Sequence, residues 1–223
     1  MQTEAEKYLI KIVRKILAKS NQALKIINLG AAKSTVVENE LLQEKKDFIC
    51  DRADIEDCNV NEDYVERTYI CPLEDLSLID TAKYDLAFAN FVLEHVSDPD
   101  KAAKEMARIL KPSGEIVISL SNPKAPEFRL AKATPTWFHQ LFRKAGHDDA
   151  YPVKYAYKNI NNFILSMALV GFEIKEKKYF PATYSYLHRY PVINLLSRAY
   201  DKIVVKGNWK NLMGHTVLHF RKS

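Results

Sequence analysis

Long apolar runs are missing from this 223-residue chain, and no transmembrane helix can be drawn through it. The opening segment EKYLIKIVRKILAKS interrupts its apolar residues with charge every few positions and lacks a small-residue cleavage site, so no signal peptide is expected. A cytoplasmic location is the resulting expectation. Cysteine is scarce: Cys50, Cys58 and Cys71 are odd in number and lack metal-ligand spacing, which argues for reduced thiols over a disulfide framework or a zinc site. A strong excess of one charge is also lacking. The net charge of +5 and pI near 8.9 favour an anionic substrate or surface, but they fall short of a nucleic-acid-binding signature. Repeats and low-complexity tracts are absent too. What remains, 47% hydrophobic and 27% charged residues, can bury one sizeable core, so residues 1–223 are expected to form a single domain.

The pattern along the chain is that of an α/β domain, a doubly wound, mostly parallel sheet with helices on both faces. Tyr8, Leu9, Ile12, Val13, Ile16 and Leu17 recur at helical spacing with Lys7, Lys11, Arg14, Lys15 and Lys19 between them, predicting a helix over 4–19. A basic amphipathic helix can lie on a membrane, but packing on its own domain is the expectation. Strands are expected at KIINL, DFICD, RTYI, YDLAFAN, EIVISL, FEIKEKKY and HTVLHFRK. STVVENELLQEKK reads as a helix. In DPDKAAKEMARILKPSG, Asp98 can cap the first amides, Pro99 suits the first turn, and Lys111, Pro112 and Gly114 mark an exit. Two irregular stretches, about 121–160 and 181–212, stand where such a domain builds the walls of a substrate pocket.

The first strand runs into IINLGAAKST, where small residues let a backbone approach a ligand and a helix start offers free amides. DFICD ends at Asp51, about twenty residues beyond Gly30, the spacing that sets a carboxylate at the neighbouring strand tip, within reach of a ribose diol. A surface Asp capping a loop would give the same pattern. A phosphate-binding loop is excluded because its glycines would have to be Ile27 and Ala32, and no Tyr-x-x-x-Lys of a short-chain dehydrogenase occurs.

The run YDLAFANFVLEHVSDPDKAAKEMARILKPSGEIVISLSNP resembles the small-molecule class I S-adenosylmethionine-dependent methyltransferases, the type 11-like family, over residues 24 to 122, and ALVGFEIKEKKY fits the same pattern. The resemblance implies a seven-stranded Rossmann-like sheet of order 3-2-1-4-5-7-6 with the last strand antiparallel. It also implies S-adenosylmethionine as cofactor. By the same resemblance Gly30 and Ala31 line its methionine and ribose, Asp51 holds the ribose hydroxyls and Arg52 flanks the adenine. Leu73 and Glu74 take the adenine-contacting turn, and Asn90 and Phe91 border the methionine and the path to the acceptor. The loop departs from the family: Asn28 stands where an acid is usual, and Ala32, Lys33 and Ser34 follow a single glycine. Lys33 could pair with the cofactor carboxylate or point to solvent.

The expected reaction is methyl transfer to an oxygen or nitrogen of a small-molecule, saccharide or natural-product acceptor. A non-catalytic methyltransferase-like binding or scaffold subunit is the alternative that the eroded loop motivates. For a hydroxyl acceptor, His139 in TPTWFHQLF is the first candidate base and His95 the second. His147, Asp148 and Asp149 read as a polar loop, and no metal is expected. The Tyr- and Arg-rich C-terminal third reads as a lid over a small acceptor, with no nucleic-acid partner expected. The apolar face of YPVINLLSRAYDKIV is expected in the core, with a homodimer contact or a membrane surface behind that.

Overall fold

The computed structural model describes residues 2–20, 22–43, 49–126, 128–129, 152–184 and 191–223, the side chains of 191–194 excepted. Its centre is a seven-stranded sheet, β1 (Ile26–Leu29), β2 (Cys50–Asp54), β3 (Val65–Ile70), β4 (Tyr84–Asn90), β5 (Leu110–Ser121), β6 (Phe172–Phe180) and β7 (His215–Lys222), in the order β3-β2-β1-β4-β5-β7-β6. β1 to β5 are mutually parallel, and β7 runs antiparallel to both β5 and β6. Order and direction are those expected from the sequence.

Alternation along the strands divides the core into two layers. Ile27, Leu29, Ala87, Ala89, Ile116 and Ile118 face one side, where α3 (Pro99–Ile109) and α4 (Ile160–Leu169) contribute Ala103, Met106, Phe163 and Met167. Ile26, Cys50, Leu86, Phe88 and Val117 face the other, under α1 (Glu4–Lys19) and α2 (Val36–Leu42). The helix over 4–19 thus packs on its own sheet through Leu9, Ile12, Val13 and Leu17, leaving Lys7, Lys11, Lys15 and Lys19 outside. A capping box starts it: Thr3 Oγ1 accepts from Glu6 N, and Glu6 Oε2 accepts from Thr3 N. In α3 Asp98 accepts from Lys101 N behind Pro99, as its sequence anticipates.

Two boundaries differ from expectation. β2 begins and ends three residues later, at Cys50 and Asp54 instead of 47 and 51. α3 ends at Ile109, and Lys111 to Gly114 form an irregularity inside β5, where the pairing with β4 slips between Tyr84 and Leu86 and Ser113 takes φ 63°. A further difference concerns α5 (Pro191–Lys206), most of whose described apolar side chains stay outside the core. Ser197, Asp201 and Val204 are buried, while Leu195, Leu196, Ile203 and Val205 are exposed. No described helix is long and apolar enough to cross a membrane.

Candidate functional site

Every parallel strand delivers its last residue to one edge of the sheet, so the loops after β1, β2 and β4 meet there. Leu29 pairs with Ala53 of β2 and Ala89 of β4, which sets Gly30, Asp54 and Asn90 side by side. Gly30 and Ala31 donate their amides to Ala53 O at 2.8 and 3.2 Å, and Ala32 N donates to Asp54 Oδ2 at 2.9 Å. The turn requires φ 73° at Gly30, and a Cβ there would stand 2.3–2.8 Å from the Val92 side chain. Ala32 accepts φ 43° without being glycine.

Asp54, not Asp51, is therefore the carboxylate at the β2 tip. Asp51 pairs with Ile27, three residues before Gly30, and its Oδ2 accepts from Lys83 Nζ at 2.8 Å and from the Tyr84 hydroxyl. It braces the interior between β2 and β4. Asp54 Oδ1 accepts from Glu56 N at 3.2 Å, and the carboxylate keeps lone pairs beyond its two backbone bonds. Ile55 follows it, half exposed, an apolar surface beside an acid.

Arg52 likewise lies elsewhere than expected. Its guanidinium is wholly buried beneath the loop after β1, on the α2 side of the sheet, where no adenine can reach it. Nη1 meets Glu38 Oε1, Nε donates to Cys58 O at 3.0 Å, and Nη2 donates to Ala31 O, Ala32 O and Ser34 O at 2.8–3.1 Å. Asn28 Nδ2 donates to the same Glu38 oxygen at 2.7 Å. Burial pushes the Glu38 carboxyl up, against the pull of Arg52 and Asn28. The missing acid of β1 thus has a counterpart on α2, turned inward to hold the loop. Lys33 leaves the site: its Nζ donates to Asp57 Oδ2 and Asn59 O, both at 2.9 Å, on the exposed side.

Leu73 is buried in the core beyond β3, and Glu74 Oε1 accepts from Ser97 N at 2.7 Å, bracing the entry to α3. Asn90 stands at the β4 tip, its Nδ2 donating to Glu6 Oε1 of α1 at 3.0 Å and its Oδ1 accepting from Ser119 Oγ. Phe91 takes φ 53° and lays its ring 4.6 Å from that of His215.

Beyond Phe91 lies a buried polar group that the sequence reading missed. Glu94, in the 3-10 turn Leu93–His95, is 5% exposed; Ser121 Oγ donates to its Oε1 at 2.9 Å, and its Oε2 has no partner among the described residues. Burial pushes its carboxyl up to about 7. Tyr157 donates to Ser121 O at 2.6 Å, and burial and Glu94 hold its hydroxyl well above the usual range. His215, paired with Ser121 at the start of β7, is pushed down to about 4 by burial. His95 Nδ1 lies 3.3 Å from Pro152 O. His139 and the trio His147, Asp148 and Asp149 lie outside the described residues, and among those described no cluster could hold a metal ion. A groove of about 590 Å³ between α1 and the 112–115 turn opens at the opposite edge of the strands and shares no residue with this site.

Comparison with known proteins agrees with the geometry. Residues 30–118 match the family model described as a methyltransferase domain. A ubiquinone biosynthesis O-methyltransferase from Xanthomonas oryzae pv. oryzae is 32% identical over 75 residues, 34% of this chain and 31% of the relative. One from Alkalilimnicola ehrlichii is 32% identical over 76 residues. The chain thus spans about a third of the length of these relatives. Among solved structures, an S-adenosylmethionine-dependent methyltransferase from Mesorhizobium loti superposes with a TM-score of 0.59 at 15% identity, covering 96% of this chain and 98% of that one. Phosphoethanolamine N-methyltransferase 2 of Haemonchus contortus, in complex with S-adenosyl-L-methionine, gives 0.61 at 12% identity, covering 97% of this chain and 52% of that one.

Proposed function

We propose that this chain, whose residues 30–118 match the methyltransferase-domain model, uses S-adenosylmethionine to methylate a hydroxyl group of a small-molecule acceptor. The observation that carries this reading is the convergence of Gly30, Asp54 and Asn90 at one sheet edge, within the matched residues. The donor set fits the cofactor. Asp54 offers carboxylate lone pairs to a ribose diol, Ile55 offers an apolar face to adenine, and Gly30 and Ala31 leave the backbone uncovered where the methionine would lie. Asn90 and Phe91 close the far side.

When bound, the cofactor supplies a methyl made electrophilic by its sulfonium, so the protein needs no nucleophile of its own and contributes alignment. A hydroxyl acceptor must also lose a proton. Glu94 is the group we assign to receive it, since it follows Asn90 by four residues, its Oε2 is buried without a partner among the described residues, and burial pushes its carboxyl up to about 7. The oxygen assignment draws on the O-methyltransferase relatives, whose alignment covers 34% of this chain.

Calorimetry with S-adenosylhomocysteine tests the cofactor half of the proposal. The parent should bind and Asp54→Ala should bind at least about tenfold more weakly, a charge-assisted hydrogen bond being worth on the order of 1.5–3 kcal/mol. Absence of binding by a folded parent would overturn it in favour of a non-catalytic binding subunit.

A further inference from the structure

The helix α5 is turned inside out. Its inward positions are Ser197, Asp201 and Val204, and Asp201 Oδ2 accepts from Tyr184 N at 3.0 Å to tie the helix to the segment after β6. Its outward positions are apolar: Leu195 is 71% exposed, Leu196 66% and Ile203 57%, with Trp209 at 53% just beyond the helix end. Leu196 and Ile203 are seven residues apart and therefore one above the other, and Leu195 and Ala199 adjoin them on the same face. A soluble helix packs the other way, so this apolar face is in want of a partner.

Charge identifies the partner. Arg198, Lys202, Lys206 and Lys210 are all exposed and flank the apolar strip, with Arg198 lying 4.6 Å over the Tyr184 ring. The only acid between residues 177 and 223 is Asp201, which is buried, against nine Lys and Arg. Of those nine, Arg198, Lys202, Lys206 and Lys210 stand on α5 or just past its end, where no exposed acid of the same segment offsets them. A strip of leucine, isoleucine and tryptophan edged by cations with no exposed acid matches an anionic bilayer, where apolar side chains enter the acyl boundary while ammonium groups stay among the headgroup phosphates. A nucleic acid would satisfy the cations but not the leucines. The helix hangs from the edge of the sheet that bears the candidate site: Asn122, past the end of β5, donates to Lys210 O and Met213 O at 3.1 and 2.9 Å.

We propose that the outer face of α5, with Trp209, is a docking surface for an anionic lipid bilayer. Docked this way, the site edge lies close to the membrane plane, which suits an acceptor drawn from the lipid phase. This surface stands whether or not the domain turns over.

Co-sedimentation of the full chain with vesicles tests it. The protein should pellet with phosphatidylcholine vesicles containing one-third phosphatidylglycerol, far less with phosphatidylcholine alone, and less as salt rises. Lys202→Glu/Lys206→Glu should lower partitioning at least about tenfold, each cation near an anionic surface contributing about fivefold. Leu196→Ser/Ile203→Ser should lower it as well, and circular dichroism and melting should show both variants folded, because every altered side chain is exposed. Failure of the folded parent to bind the anionic vesicles would overturn the proposal. So would undiminished binding by the serine variant, which would leave a purely electrostatic contact, or a dimer in sedimentation velocity that the serine variant dissociates and vesicles do not.

Discussion

Replacing Glu94 by Gln tests both the burial of this carboxyl and its assigned role. In the unfolded chain the group titrates at its ordinary 4.5, whereas burial raises it to about 7 in the folded protein. The neutral form is therefore the one the fold favours, and the stability it contributes is fully present below pH 4.5, declines as pH rises and is lost above about 7. A shift of about 2.5 units at 1.36 kcal/mol each corresponds to roughly 3 kcal/mol across that window. Gln keeps the shape and an acceptor for Ser121 but does not ionise. Urea midpoints should therefore show Glu94→Gln close to the parent at pH 5 and more stable by up to about 3 kcal/mol at pH 8. Tyr157, whose hydroxyl burial and Glu94 hold well above its usual range, stays protonated in both proteins across this window. His215, held down near 4, acts in the opposite window: its contribution is present above pH 6.5 and lost as pH falls toward 4. For turnover the same variant should lose the limb of the kcat/KM profile near pH 7. Parallel stability curves would refute the burial argument, and an unchanged activity profile would refute the proton-accepting role.

Two further substitutions probe the loop after β1. Gly30→Ala must place a Cβ at φ 73° and 2.3–2.8 Å from Val92, so it should cost about 2–4 kcal/mol, read as a lowered melting temperature, from left-handed strain and overpacking together. Arg52→Met removes the partner of buried Glu38 and the donor to three loop carbonyls, and chemical denaturation should show a loss of about 3–5 kcal/mol at pH 8, smaller at pH 5, where Glu38 is closer to neutral.

Sheet order and strand directions were legible through the family resemblance, and α3 because its signals are local: Asp98 and Pro99 stand next to the helix they start. β2 was misplaced by three residues for a physical reason. Its last three residues, Arg52, Ala53 and Asp54, contain two charges, and a charge reads as the end of a buried strand. Here Arg52 is buried because Glu38 neutralises it from a helix 14 residues away, a pairing that no local pattern reveals. The slip carried the strand tip from Asp54 to Asp51. Glu94 escaped notice because it stands beside His95, the more familiar base, and its pKa is set by enclosure. The outward apolar face of α5 has the periodicity of a core helix, and periodicity does not say which way the stripe faces.

The displaced tip also decides how the cofactor assignment is best tested, because Asp54 does two things at once. Its Oδ2 holds Ala32 N, and with the three carbonyl bonds from Arg52 it keeps Ala32 at φ 43°, a conformation that costs about 1–2 kcal/mol for a residue with a Cβ. On the proposed cofactor reading, loop shape and ligand contact are joined in one side chain, and Asp54→Ala removes both. Asp54→Asn separates them: its amide oxygen can still accept from Ala32 N, but the negative charge available to a ribose diol is gone. The Asn variant should give up only the bond from Glu56 N, lose less stability than the Ala variant, and lose at least about tenfold in affinity for S-adenosylhomocysteine, while the Ala variant loses affinity and both backbone bonds together. Asp51→Asn is the complementary control. It takes the charge from a buried carboxylate that pairs with partly buried Lys83, so it should lower the melting temperature and leave the affinity of the folded protein unchanged. Parental affinity in Asp54→Asn, together with a loss of affinity in folded Asp51→Asn, would return the ribose to Asp51 and refute the reading of the strand tip.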